Sequence, residues 1–240
     1  MFNNIQEYIR KKGIRLVILD VDGTMKDLVL EHMCAIKEIA RIRQTSENSK
    51  DIRVIIAINN FFMCFVKCGL FPTNSVMQNI LCFVNCILFC EPFKNFRCEY
   101  LTEYYKRRKI FDNTSELLDE IVKSGAKYVI ISKNSQSINF FSGNWTFTQN
   151  NIYISDGDKL GLFKNLIEST AVSESKDILP EEVLIIGDNF WDDVIPAMRL
   201  KANVLWCNKY FSSSKRRCIH YLSKIFYKKA LGNKEANSIW

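Results

Sequence analysis

Asp20 and Asp22 stand one residue apart, directly after the apolar run Leu16 to Leu19 and directly before Gly23 and Thr24. A short apolar run bounded this way predicts a buried strand, so the two carboxylates belong to its end. Residues two apart in an extended chain point the same way, and Gly23 lets the chain turn sharply away. Two acids so placed suit one nucleophile, one acid or base, and a hard cation between them. The same Asp-x-Asp-Gly string also fits a calcium loop, or a strand end followed by a polar turn.

Three further strings follow in order. Tyr128 to Ile131 is a second apolar run, ending in Ser132, Lys133, Asn134 and Ser135. The helix before it is bounded by Asn113 as a cap, Glu116 three residues on and Gly125 at its close. The run thus offers hydrogen-bond donors for an anion, although Ser132 also suits a simple helix cap. Ile152 to Asp158 then leads through a turn-rich loop to Gly161, Leu162, Phe163 and Lys164. Finally, Val183 to Ile186 runs into Gly187 and Asp188, with Asp192 and Asp193 four and five residues further on. Buried strands ending in Asp-x-Asp, Ser and Gly-Asp, with a loop lysine before the last, are hard to ascribe to solubility.

These residues resemble the haloacid dehalogenase (HAD) superfamily of phosphotransferases. Its four motifs are an Asp-x-Asp-Gly-Thr loop, a strand-end Ser or Thr, a Lys, and a Gly-Asp followed by further acids. All four occur here in order, over residues 14 to 24 and about 111 to 206. The stretch Ser155 to Lys164 matches the family's Ser-x-x-x-Gly-x-x-Lys approach to the third motif, which favours Lys164 over Lys159 and Lys176. Asn165 replaces the usual proline after this lysine, Leu200-Lys201 replaces an Ala-Gly pair, and Pro196 falls near the start of the last helix.

The resemblance implies an α/β fold: a doubly wound, mostly parallel, Rossmann-like sheet with an inserted helical cap. It implies a catalytic core over residues 1–24 and 111–208, the cap over 25–110, and a basic helical tail over 209–240. It also assigns roles. Asp20 attacks phosphorus and becomes an aspartyl-phosphate. Asp22 protonates the leaving oxygen and then activates water. Ser132, Lys133, Asn134 and Lys164 bind the phosphoryl group. Magnesium is held by Asp20, Asp188 and the backbone carbonyl of Asp22, with Asp193, in preference to Asp192, orienting its waters. Within the superfamily the dehalogenase branch lacks the second aspartate and ion-pumping ATPases carry threonine there, so Asp22 points to a phosphatase or phosphomutase.

At 240 residues, 48% hydrophobic and 12% aromatic, the chain has the composition of a folded protein with one ample core and a lid. Met1 to Arg15 holds polar and basic residues and no apolar signal core. Nine cysteines follow no extracellular framework. A cytoplasmic, reducing location is therefore expected. The net charge of +7 gathers at both ends, as Arg10, Lys11 and Lys12, and as Lys215, Arg216, Arg217, Lys224, Lys228 and Lys229. A solvated surface accounts for it. No nucleic-acid partner and no membrane contact are expected.

Residues 25–110 are far longer than a tight connection requires. Apolar positions at Leu28, Val29, Met33, Ile36, Ile39, Ala40 and Ile42 predict one helix. Residues 51–68 and 75–90 predict an apolar pair, punctuated by Gly69 and Pro72, and 93–109 an aromatic, basic one. Asn59, Asn60, Lys67, Gln78 and Asn85 interrupt the apolar pair, so it reads as a buried hairpin rather than a membrane span. Cys64 and Cys68, and Cys82, Cys86 and Cys90, repeat at helical spacing as small core residues. Such a lid would exclude water and select the substrate, with Arg41, Arg43, Lys106 and Arg107 as candidate grips and its apolar face as a candidate homodimer surface.

The function expected is magnesium-dependent hydrolysis of a small phosphorylated metabolite. A sugar-phosphate mutase shares every core residue, and a non-catalytic binding protein using the apolar cap is the alternative of another class. The enzymatic reading requires that the carboxyls of Asp20 and Asp188 reach one cation.

Overall fold

The computed structural model describes residues 5–44, 52–67, 74–106, 110–111, 114–133 and 151–207. All lie in the unit formed by residues 1–207. Asn113, Asn134, Gly69, Pro72, Cys68, Arg107 and the basic tail lie outside the described residues.

Four of these segments are strands; in Leu16–Leu19, Val129–Ile131 and Val183–Ile186 burial on both faces of a parallel sheet favours unbroken Val, Ile and Leu, whereas the short third strand leaves Ile154 exposed. They form β1 (Leu16–Asp20), β2 (Lys127–Ser132), β3 (Ile152–Ile154) and β4 (Val183–Gly187), and a fifth, β5 (Asn203–Trp206), completes the set. The sheet order is β3-β2-β1-β4-β5, and every pairing is parallel. β1 is central: Leu16 pairs with Lys127 on one side and Val183 on the other. The C-terminal ends of β1, β2 and β4 therefore bring Asp20, Ser132 and Asp188 to one edge, where open α/β sheets bind ligands.

Alternation along β1 divides the core. Val17 and Leu19 pack with Ile5 and Ile9 of α1 (Ile5–Lys12) and with Leu118 and Ile121 of α6 (Thr114–Ser124). Leu16 and Ile18 pack on the other face with Phe163 and Leu166 of α7 (Lys159–Glu174) and Ala197 of α8 (Ile195–Arg199). Leu16 to Leu19 have no exposed surface, and burial of each such side chain contributes about 1.5–3 kcal/mol. Asp20 continues the parity of Leu16 and Ile18, so it emerges on the α7 side.

The insertion is helical as expected: α2 (Leu28–Gln44), α3 (Ile52–Lys67), α4 (Asn74–Phe89) and α5 (Phe93–Lys106). Asp27 starts α2, its Oδ1 accepting from the backbone N–H of Leu30 at 3.0 Å. The chain leaves and re-enters the sheet layer side by side, since Lys26 and Ile110 form an antiparallel bridge. Phe111 N–H also donates to the Met25 carbonyl at 3.0 Å.

Inside the insertion, polar side chains satisfy one another. Asn59 and Asn85 exchange amide hydrogen bonds at 2.9 Å in both directions. Asn59 Oδ1 also meets His32 Nε2 at 3.2 Å, and His32 Nδ1 meets the Tyr100 hydroxyl at 2.8 Å. Burial pushes the His32 pKa down to about 4, against the bond to Asn59. The asparagines thus tie α3 to α4. Cys82 and Cys86 are buried, whereas Cys64 and Cys90 are exposed. Val54, Phe61, Phe83 and Ile87 leave more than half of their surface exposed. No helix among the described residues is long and apolar enough to cross a membrane.

Three of the candidate substrate grips are engaged by acids of the insertion itself. Arg43 pairs with Glu91 at 3.1 Å and Glu99 at 2.5 Å, and lies over the Phe89 and Phe96 rings. Arg41 pairs with Glu38 and Lys106 with Glu103, one turn away in each case.

Candidate active site

Asp20 Oδ1 accepts from Lys159 Nζ at 2.6 Å, and the same ammonium reaches Asp193 Oδ1 at 2.5 Å. Lys159 is the first residue of α7, and helix starts on this face of the sheet lie beside the strand ends. Asp193 is placed by a wide turn over Phe190–Val194, in which Ile195 N–H donates five residues back to Phe190. Pro196 then falls in the first turn of α8, where its missing N–H is tolerated. Asn189 caps the turn, its side chain accepting from Trp191 and Asp192 N–H, while Asp193 Oδ2 accepts from Asn189 N–H at 3.0 Å.

Two glycines leave room for these acids. A Cβ on Gly23 would lie 2.0 Å from Asp188 Oδ2, and one on Gly187 would lie 2.3 Å from Asp193 Cγ. Gly23 also has φ of +89°, a conformation that side chains disfavour.

Ligand oxygens of Asp20, Asp188 and Asp193 all lie within 4.8 Å of one another, a spacing that one divalent ion with oxygen ligands can span. When ionised, they outnumber the single Lys159 ammonium by two charges. Burial pushes the Asp20 pKa up to about 8, Lys159 resisting and Asp193 and Asp22 adding to the rise. Burial raises Asp188 well above the carboxylate range too, with Asp20 and Asp193 reinforcing it. Burial works against the Lys159 ammonium, yet Asp193 and Asp20 outweigh it and hold the proton on. Asp188 Oδ1 is buried without a hydrogen-bond partner. Hard carboxylate oxygens, excess negative charge and an orphaned acceptor together fit a divalent cation.

Asp22 is held from two sides. Ser132 Oγ donates to its Oδ2 at 2.9 Å, and Lys26 Nζ pairs with its Oδ1 at 2.8 Å. Lys133 pairs with Asp192 at 2.8 Å, which places Lys133 beside the acidic turn and accounts for Asp192 separately from Asp193.

The structure therefore brings together Asp20, Asp22, Ser132, Asp188 and Asp193. It does not bring Lys164 to them. Lys164 is exposed on α7, five residues beyond Lys159, a displacement of about 7.5 Å along the axis and more than a third of a turn around it. Lys159, not Lys164, is the α7 lysine that contacts Asp20 and Asp193, because α7 begins at residue 159 beside the strand ends. The sequence also gave no role to Lys26. The available signal was slight: a lysine between the apolar Met25 and the capping Asp27, with Glu31 five residues on.

No family model matches the chain, and no curated protein matches it. Solved structures do. A HAD-hydrolase from Bacillus subtilis, solved bound to magnesium, superposes with a TM-score of 0.57 at 16% identity, covering 88% of this chain and 98% of that one. A HAD-superfamily hydrolase of subfamily IA from Geobacter sulfurreducens gives 0.54 at 15% identity, covering 83% and 90%. A predicted phosphoglycolate phosphatase from Haemophilus somnus gives 0.53 at 13% identity, covering 81% and 85%. The chain has the fold of the HAD-superfamily hydrolases: a parallel Rossmann-like sheet with flanking helices.

Proposed function

We propose that the protein is a magnesium-dependent phosphoric-monoester hydrolase acting on a small phosphorylated metabolite. The observation that carries this reading is the pairing of Asp20 with Asp22 at one strand end. One lies against Lys159 and two further carboxylates; the other is held by Ser132 and Lys26.

Asp20 Oδ supplies the nucleophile. A carboxylate approaching a phosphate dianion meets like-charge repulsion, and Lys159 opposes it at the attacking group. Asp20, Asp188 and Asp193 would hold or orient magnesium, which when bound supplies the positive charge that favours ionised carboxylates and shields the phosphoryl oxygens. Asp20 forms a bond to phosphorus as the bond to the leaving oxygen breaks, and Asp22, protonated in the substrate complex, delivers its proton to that oxygen. Asp22, now ionised, takes a proton from water as the water attacks phosphorus. The bond to Asp20 then breaks and inorganic phosphate leaves. The Ser132 hydroxyl, which donates to Asp22 Oδ2, turns to a phosphoryl oxygen when substrate enters, releasing Oδ2 for proton transfer. Cleavage of a carbon–halogen bond needs no such acid, so Asp22 favours phosphate esters.

The test is phosphate release over a panel of phosphorylated metabolites with magnesium and with a chelator. Magnesium-dependent release that Asp20→Asn abolishes, with circular dichroism unchanged, is the expected result. Full activity of Asp20→Asn would refute the reading.

A further inference from the structure

Among the described residues, Lys26 is a fully buried cation to which the sequence motifs assign no purpose. Its ammonium has no exposed surface and lies 2.8 Å from Asp22 Oδ1 and 2.8 Å from Glu31 Oε2. It also lies 3.5 Å from the Tyr104 hydroxyl and 5.2 Å from the centre of the Tyr104 ring. Glu31 is fully buried in the first turn of α2, and Tyr104 is fully buried on α5. The Tyr104 hydroxyl bonds Glu31 as well. Lys26 itself sits where the chain enters the insertion, bridged to Ile110 where it returns. One ammonium thus links the acid–base group at the strand end to two helices of the insertion.

Burying an ammonium and a carboxylate together is costly, and an apolar side chain of similar volume often serves stability as well or better. Stability alone gives no reason for Lys26 with Glu31. A task at Asp22 does. A carboxyl that donates a proton must present one oxygen to the leaving group and keep the other away. Lys26 engages Oδ1, and the same ammonium is also held by Glu31 and Tyr104. The Ser132 hydroxyl on Oδ2 is the exchangeable contact.

Resting on the hydrolase reading above, we propose that Lys26 is a positioning residue for Asp22. Fixed by Glu31 and Tyr104, it anchors Oδ1 so that Oδ2 is aimed at the leaving oxygen. The insertion thereby acts on the acid–base step and not only on substrate entry.

The role is readable in the leaving group. An alkyl phosphate such as glycerol phosphate needs a proton on its departing oxygen, whereas the nitrophenolate of para-nitrophenyl phosphate departs without one. Positioned general acids contribute about 10²–10⁴-fold. Lys26→Met, which keeps the volume and removes the charge, should lower kcat/KM on glycerol phosphate by about 10²-fold, since kcat/KM reports transfer to Asp20 and not the later release of phosphate from it. On para-nitrophenyl phosphate it should lower kcat/KM by less than about tenfold. Asp22→Asn should show the same selectivity, and adding Lys26→Met to it should cost nothing further, because both act through one group. Tyr104→Phe, which removes only a hydroxyl, should give a weaker loss of the same selectivity and serves if Lys26→Met does not fold. Equal losses on the two esters, or additive losses in the double variant, would overturn the positioning role alone. Wild-type protein that cleaves neither ester nor any of the metabolite panel would overturn the hydrolase reading and this role with it.

Discussion

Replacing Lys159 separates the geometry from the motif spacing, which favours Lys164. Lys159→Met removes the ammonium and keeps an unbranched side chain. That ammonium lies 2.6 Å from Asp20 Oδ1 and 2.5 Å from Asp193 Oδ1, in a residue only 5% exposed. Removing one partner of a buried charge pair costs about 3–5 kcal/mol. Charged on the phosphoryl-transfer state at about 1.4 kcal/mol per tenfold, that is a loss of about 10²- to 10⁴-fold in kcat/KM. Lys164→Ala alters an exposed side chain, where changes stay within about 0.5 kcal/mol, so kcat/KM should stay within about threefold. The assay is the initial rate of phosphate release from para-nitrophenyl phosphate at saturating magnesium, on variants with matching circular dichroism. Magnesium should also raise the melting temperature of Lys159→Met more than that of the wild type, since the carboxylates then lack their internal cation. If Lys159→Met keeps activity within tenfold of the wild type, or Lys164→Ala loses as much, the placement of the cation is refuted.

Gly23→Ala sets a Cβ 2.0 Å from Asp188 Oδ2 in a left-handed backbone. Magnesium affinity, read by titration calorimetry, should fall more than about tenfold, as a displaced ligand does to a metal site. Proton and cation compete for the acidic cluster: Asp20 titrates near 8 and Asp188 is raised with it. The folded protein therefore holds protons that the unfolded chain releases, so metal-free stability should decline as pH rises from about 4 to 8, and magnesium affinity should climb over the same window. A melting series at several pH values, with and without magnesium, checks both slopes. His32 has the opposite sign: its pKa near 4 lies below the usual 6.5, so its contribution is present above pH 6.5 and lost as pH falls towards 4. The loss is about 1.4 kcal/mol per unit, and His32→Gln should remove that part of the acid destabilisation in parallel thermal melts.

What could be read from the residues was whatever local pattern determines. The strands were legible because Leu16–Leu19, Val129–Ile131 and Val183–Ile186 are buried on both sheet faces, so each is an unbroken apolar run. The insertion was legible because helical periodicity survives in its sequence, and its four helices fall within a few residues of expectation. The acids Asp20, Asp188 and Asp193 were legible because they end a strand, directly follow one, or lie in the turn after it. The lysine was not. Lys159 and Lys164 belong to one helix, and which of them meets Asp20 depends on where that helix starts relative to the sheet edge, which no spacing rule states. Lys26 was hidden for a deeper reason. Its partners Asp22, Glu31 and Tyr104 come from three elements, and only the packing of the insertion against the strand end makes a buried ammonium tolerable there. Asn59 and Asn85 make the same point: in sequence they only interrupt apolar helices, but in the fold each satisfies the other. Local chemistry identifies which residues can react, while the groups that aim them are chosen by tertiary contact, and that is where substitutions such as Lys26→Met report what a motif cannot.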